Sequence, residues 1–147
     1  MVDCLARSGL GSSWYATWSE WFCIVGDDQV VLISSDGERW GSPGGRPEGE
    51  ESWEQTLRRE IAEETCSIVR SARLLGFCRG ACLSGPEKGL VLVRSIWRAE
   101  VELMAWKPRF EISHRRIVHI AELLSRLWME EGFEPIYRRA LTEAGLI

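Results

Sequence analysis

The sequence predicts an α/β fold in which a central mixed sheet packs between helices, and three observations predict it. Strand-like runs come first, one helix-friendly stretch sits in the middle, and helical stretches close the chain. The 147 residues suit one domain, and we expect residues 1–147 to form a single one. Hydrophobic residues make up 45% and charged residues 27%, proportions of a chain that folds around a core.

Residues 1–19 are ambiguous, with small residues around Trp14 and Trp18. Residues 20–26 and 29–34 are apolar runs on either side of Asp27-Asp28, a turn signal, and read as a hairpin. Residues 36–50 are rich in Gly, Pro and charge and read as a loop. Ser52 with Gln55 three residues later fits a capping box, and the sequence stays helix-friendly to about Thr65. Residues 68–83 and 89–103 contain strand-like stretches separated by Ser84-Gly85-Pro86. Pro108 interrupts the next segment, and residues 116–119 make a short strand candidate. Helices are expected near 120–131 and 134–144, split by Gly132 and Pro135.

Charge and cysteine content narrow the function classes. A net charge of −4 argues against long nucleic acid as a partner, but not against a nucleotide enzyme, because a bound cation can supply local positive charge. No apolar run approaches the roughly 20 residues that span a bilayer, and the start of the chain, with Asp3, does not read as a targeting segment. Cysteines 4, 23, 66, 78 and 82 form no regular framework and read as reduced thiols, so a cytoplasmic location is expected. The C-x3-C spacing of Cys78 and Cys82 is loose for zinc, and no second pair follows.

The chemistry concentrates in Gly44-Gly45-Arg46-Pro47-Glu48-Gly49-Glu50-Glu51 and the following helix, which carries Arg59-Glu60-Ile61-Ala62-Glu63-Glu64. Glu60, Glu63 and Glu64 stand at i, i+3 and i+4, so a helix gathers them along one side. Close like charges repel, and a cation or strong donor is needed to make the arrangement favourable. Oxygen-only ligation suits a hard ion such as magnesium or manganese. On the helical wheel Glu60 and Glu64 fall beside Trp53 and Leu57, while Gln55, Arg58 and Ala62 lie opposite. Taken alone, E-x-x-E-E reads as a charged surface helix paired with Arg58 and Arg59; the flanking residues change that reading.

The spacing Gly45-x5-Glu51-x7-Arg59-Glu60-Ile61-x-Glu63-Glu64 resembles the signature box of the Nudix hydrolases, and Trp40-x-x-Pro43-Gly44-Gly45 resembles the family's lead-in. The resemblance covers about residues 20–130. It implies a Nudix α/β/α sandwich, with the box as a loop–helix–loop, and metal-dependent hydrolysis of a nucleoside diphosphate linked to another moiety. Glu60, Glu63 and Glu64, with the Gly44 carbonyl, would hold magnesium or manganese. Arg59 would orient the carboxylates, and Glu51 would support the site at the mouth of the helix. The general base is open between Glu60 and Glu111, the latter because residues 111–123 resemble a later family segment where a glutamate often sits near the metals. Glu122 reads as serving the start of the next helix. The family pattern ends in glycine and an aliphatic residue where this chain has Cys66 and Ser67, so the helix exit is expected to differ.

Arg46 is a candidate phosphate contact. Trp14, Trp18 and Trp21 are candidates for stacking on a base, although buried tryptophans usually serve the core. Trp97 reads as packing, and His114, Arg115, Arg116 and His119 as either phosphate contacts or solvated side chains. The expected substrate is a small nucleotide: a nucleoside triphosphate, a nucleotide sugar or a dinucleotide. A catalytically inactive nucleotide-sensing module on the same fold is the alternative, and a homodimer is expected.

Overall fold

The computed structural model describes residues 8–10 and 13–147, with side chains from Trp18 onward. Cys4 and the side chain of Trp14 lie outside the described residues. The strands are β1 (Ser8–Leu10), β2 (Ser13–Val25), β3 (Gln29–Ser34), β4 (Gly44–Gly45), β5 (Ser67–Ala81), β6 (Val91–Leu103) and β7 (His114–His119). The helices are α1 (Trp53–Thr65), α2 (Leu123–Arg126) and α3 (Glu134–Glu143). The expected hairpin is present, and β2 extends it backward into the stretch that was ambiguous in sequence.

Among the described residues seven strands form one mixed sheet with the path β5-β6-β2-β3-β7. Strand β2 runs parallel to β6 from Tyr15↔Val91 to Ile24↔Glu100. Its other edge is shared in turn by β1, the two residues of β4, and β3, all antiparallel.

Alternation along β2 divides the core between the two faces. Trp21 and Cys23 face α1 together with Val31, Leu57, Ile61, Val69, Ala99 and Val101. Phe22 and Ile24 face the opposite layer, where Leu32, Leu92, Leu123, Phe133, Tyr137 and Leu141 pack. Leu57 and Ile61 are fully buried, each contributing about 1.5–3 kcal/mol of apolar burial that holds α1 on the sheet. The reading of Trp97 as packing is met, since it is half-buried against the α1 side.

Two expectations need correction. The helix expected over 120–131 is a 3₁₀ turn at Ile120–Glu122 followed by only the four residues of α2. It stops because Leu127 turns extended to bridge Trp40, and the Trp128 N–H donates to the Trp40 carbonyl at 2.8 Å. The exit of α1 does not differ in kind from a glycine exit. Cys66 itself adopts the left-handed conformation (φ 53°), and its N–H donates to the Ala62 carbonyl. The buried Cys66 is held there by its neighbours: the Met104 N–H donates to its carbonyl, and Arg115 Nη1 donates to the Thr65 carbonyl at 2.8 Å. Arg115 therefore caps α1. No helix among the described residues is long and apolar enough to cross a membrane.

Candidate active site

The site begins where the middle of β2 captures β4. Ser19 pairs with Gly45 and Glu20 with Gly44, and the Ser19 hydroxyl donates to the Gly45 carbonyl at 2.9 Å. Both positions require glycine for lack of space. A Cβ on Gly44 would lie 2.6 Å from Trp18 Nε1 and 2.8 Å from the Ser19 carbonyl oxygen. A Cβ on Gly45 would lie 2.6 Å from Cγ and Cδ of Glu60. The sheet thus presents a bare backbone against which a carboxylate can lie.

Helix α1 supplies that carboxylate. The capping box forms as expected: the Gln55 N–H donates to Ser52 Oγ at 3.2 Å, and the Ser52 N–H to Gln55 Oε1 at 2.8 Å. With Leu57 and Ile61 against the sheet, Glu60 and Glu64 fall at the edge of the buried face, while Arg58 and Ala62 face solvent. The Gly44 N–H donates to Glu64 Oε2 at 3.2 Å.

Arg59 organises the rest. Its Nε and Nη2 donate to both oxygens of Glu51 at 2.8 and 2.9 Å, and its Nη1 donates to Glu60 at 2.9 Å and Glu63 at 3.3 Å. Nη2 also reaches the Arg46 carbonyl at 3.4 Å. This fork is the bidentate pairing at which Arg excels.

These groups border a cavity of about 340 Å³ lined by Glu48, Arg59, Glu60, Glu63, Glu64, Arg109, Phe110, Glu111 and Ile112. Five carboxylates face two guanidinium groups. Burial pushes the Glu64 carboxyl up to about 8, with further raising by Glu60, Glu111 and Glu63 against the lowering Gly44 N–H. Burial also raises Glu60, although Arg59 opposes it. Glu51 is held below its ordinary range, first by Arg59 and then by the Glu48 N–H. Carboxylates pushed upward by burial and by one another gain from a cation.

Among the described residues no three His, Cys, Asp or Glu side chains form a ready-made metal cage, and Arg59 engages Glu60 and Glu63. The donor set still suits a hard divalent ion: the oxygens are all carboxylate or carbonyl, and the bare Gly45 backbone makes room for Glu60.

The structure therefore brings together Gly44, Glu51, Arg59, Glu60, Glu63, Glu64 and Glu111. It leaves the Arg46 side chain exposed and outside the cavity lining. His114 and His119 are exposed, Arg116 stacks over Trp40 at 4.4 Å, and Glu122 makes no capping bond, pairing instead with Arg126.

A second cavity, of about 220 Å³, lies across the glycine pair, where Trp18 touches Gly44. Its lining includes Trp18, Glu20, Ser42, Arg94, Trp128 and Tyr137. Buried Glu20 accepts from Tyr137 Oη at 2.6 Å and from Arg94 Nη1 at 2.8 Å. Burial raises Glu20 against the pull of Arg94 and Tyr137. Ser42 Oγ and Arg94 Nε are buried without a hydrogen-bond partner among the described residues. Sequence reasoning missed this cluster, since its members lie 74 and 117 residues apart. The only local signal was a lone charge, Glu20, heading an apolar run. Of the candidate stacking tryptophans, Trp18 lines this cavity, while Trp21 is fully buried in the core.

The NUDIX domain model matches residues 19–140. No curated protein sequence matches the chain. Among solved structures, the chain is similar to the pyrophosphohydrolase BsRppH of Bacillus subtilis at 27% identity and a TM-score of 0.70, covering 97% of this chain and 90% of that one. It shares its fold with a MutT protein of Bacillus halodurans (22% identity, TM-score 0.69, covering 83% and 79%). The same holds for the NUDIX domain of Shewanella oneidensis NrtR, solved with ADP ribose (18% identity, TM-score 0.62, covering 87% of each).

Proposed function

The chain belongs to the Nudix family of hydrolases, and on that premise we propose that it cleaves the pyrophosphate linkage of a nucleoside diphosphate joined to a further group, using magnesium or manganese. The observation that carries this reading is Glu64, a half-buried carboxylate pinned by the Gly44 N–H beside Glu60 and at the edge of a polar cavity. Glu60, Glu63, Glu64 and the Gly44 carbonyl would hold the cation. When bound, the cation supplies positive charge to phosphate oxygens as charge builds in the transition state.

The remaining work falls to the chain's own side chains. Arg59 sets the directions of Glu60 and Glu63, and its fork to Glu51 fixes the guanidinium at the mouth of the helix. Glu60 and Glu111 both line the cavity, and either can take the proton of the attacking water. The group joined to the nucleoside diphosphate would occupy the second cavity, where Trp18 and Trp128 offer aromatic surface and Arg94 Nε an unused donor. The pyrophosphohydrolase at 27% identity supports the reaction class, and the NUDIX domain solved with ADP ribose supports a nucleotide-sized ligand.

A nucleotide library incubated with magnesium or manganese, and again with chelator, tests the reading. Metal-dependent release of phosphate or pyrophosphate is expected. A folded, cation-bound protein that turns over nothing would shift the reading to a nucleotide-sensing module. The four described cysteines are free, consistent with the reducing cytoplasm in which we place the protein. We also place it as a homodimer; a monomer in sedimentation at micromolar concentration overturns that.

A further inference from the structure

One turn on the wall of the carboxylate cavity is built against local preference. Residues 109–112 close a tight turn, with the Ile112 N–H donating to the Arg109 carbonyl at 3.2 Å. Within it Phe110 holds φ at 52°, left-handed backbone that a bulky side chain disfavours and that Gly or Asn would adopt more readily. The Phe110 ring gains no packing in return: it is 79% exposed, the most exposed of the large apolar side chains described.

Both ends of the turn are tied down. Upstream, Cys66 Sγ donates to the Lys107 carbonyl at 3.3 Å, and the Met104 N–H donates to the Cys66 carbonyl. Downstream, Ile112 is buried, and Ser113 donates through its N–H to Ser34 and through Oγ to the Ser35 carbonyl. The turn is thus suspended between the end of α1 and the end of β3, with Arg109, Phe110 and Glu111 aimed along one wall of the cavity.

Arg109 completes the pattern. Of the two guanidinium groups lining the cavity, Arg59 is committed to Glu51, Glu60 and Glu63. Arg109 makes no side-chain hydrogen bond or ion pair among the described residues. It is the available cation beside a site that must receive a polyanion. A strained, exposed aromatic residue next to an uncommitted guanidinium is the composition of a ligand clamp.

Resting on the hydrolase reading above, we infer that Arg109 and Phe110 form a two-point grip on the nucleotide, the guanidinium taking a phosphoryl oxygen and the ring stacking on a planar group of the substrate. The two contacts separate by chemistry. Arg109 answers to any polyphosphate, whereas Phe110 answers only to a substrate that carries a flat ring. Both bind and orient; neither moves a proton.

The test measures affinity in magnesium for GTP, for ADP-ribose and for inorganic tripolyphosphate, the last having no planar group. Phe110→Ala should weaken GTP and ADP-ribose by about fivefold or more, as loss of a stacked base does, and leave tripolyphosphate within about twofold. Arg109→Gln should weaken all three by about tenfold. Phe110→Gly, which relaxes the turn, should show the same ligand pattern as Phe110→Ala with a melting temperature equal to or above that of the parent. Unchanged affinities in variants of a protein that itself binds the nucleotides overturn the grip and leave the hydrolase reading standing. A sharply lower melting temperature in Phe110→Gly makes the residue structural and also overturns it. A parent protein that neither binds nor cleaves any nucleotide overturns the hydrolase reading and the grip together.

Discussion

The glycine pair of β4 offers the sharpest separation of chemistry from stability. In Gly45→Ala the new Cβ would sit 2.6 Å from Cγ and Cδ of Glu60. That is about 1 Å inside the ~3.5 Å at which carbons rest, and the obstacle is a side chain able to rotate away. Glu60 then leaves its 2.9 Å contact with Arg59, and a displacement of about 1 Å at a reacting group costs on the order of 100-fold in rate. Gly44→Ala meets a different obstacle, because one of the clashing atoms, the Ser19 oxygen at 2.8 Å, is sheet backbone that cannot swing aside. Overpacking of this kind costs roughly 1–3 kcal/mol, and each kcal/mol lowers the melting temperature of a domain this size by about 3 °C. Thermal denaturation alongside nucleotide turnover reads both effects. Gly45→Ala should stay within about 2 °C of the parent, on the same scale, while losing most activity. Gly44→Ala should melt clearly lower. An active Gly45→Ala protein would refute the placement of Glu60 against the bare backbone.

Glu63→Gln removes one ligand charge and should reduce turnover at least about tenfold with the fold intact by circular dichroism, whereas full activity would remove Glu63 from the cation set. With the Glu64 carboxyl raised to about 8 from 4.5, the native protein retains a proton that the unfolded chain has released. Stability without cation should therefore fall as pH rises from about 4.5 to about 8, and saturating magnesium should flatten the slope by pairing with the ionised form. Urea unfolding across that window checks this, and a rise in stability with pH, or an unchanged slope in Glu64→Gln, would contradict it. Tyr137→Phe removes the hydroxyl that donates to buried Glu20 and should destabilise by roughly 1.5–3 kcal/mol in the same assay, with a near-neutral outcome arguing that water replaces the bond.

What the sequence revealed was whatever short-range spacing determines. The i, i+3, i+4 carboxylates, the Ser52–Gln55 box and the Asp27-Asp28 turn are each decided within a few residues, and each stands as expected. The strand pairing of Gly44-Gly45 was not legible, because two glycines carry no side-chain alternation and their partners, Glu20 and Ser19, lie far upstream. The short α2 was hidden for a related reason: Leu127 is apolar and helix-compatible, but its bridge to Trp40 is a tertiary demand. At Cys66 the local rule was sound and still outvoted, since Arg115, 49 residues away, and the Met104 N–H fix the left-handed exit from outside the helix. The Glu20–Arg94–Tyr137 cluster depends on three distant elements meeting across the sheet, which no window of sequence reports.

The sharing of one β2 edge by β1, β4 and β3 has a consequence for how such a molecule can change. Because the glycine pair is stitched to the sheet, residues 35–43 form a bight that is anchored again within its own length, by Gly41 to Ile33 and by Trp40 to Leu127. That bight contributes Gly41 and Ser42 to the second cavity, whereas the carboxylates hang from α1 on the far side of the stitch. Substitutions among the exposed residues of the bight should therefore reshape the second cavity while leaving the carboxylates of α1 in place. A library confined to residues 35–39 and Ser42, which spares the core side chain of Trp40 and the Gly41 bridge, is the place to retune the second cavity while the carboxylate cluster stays in register.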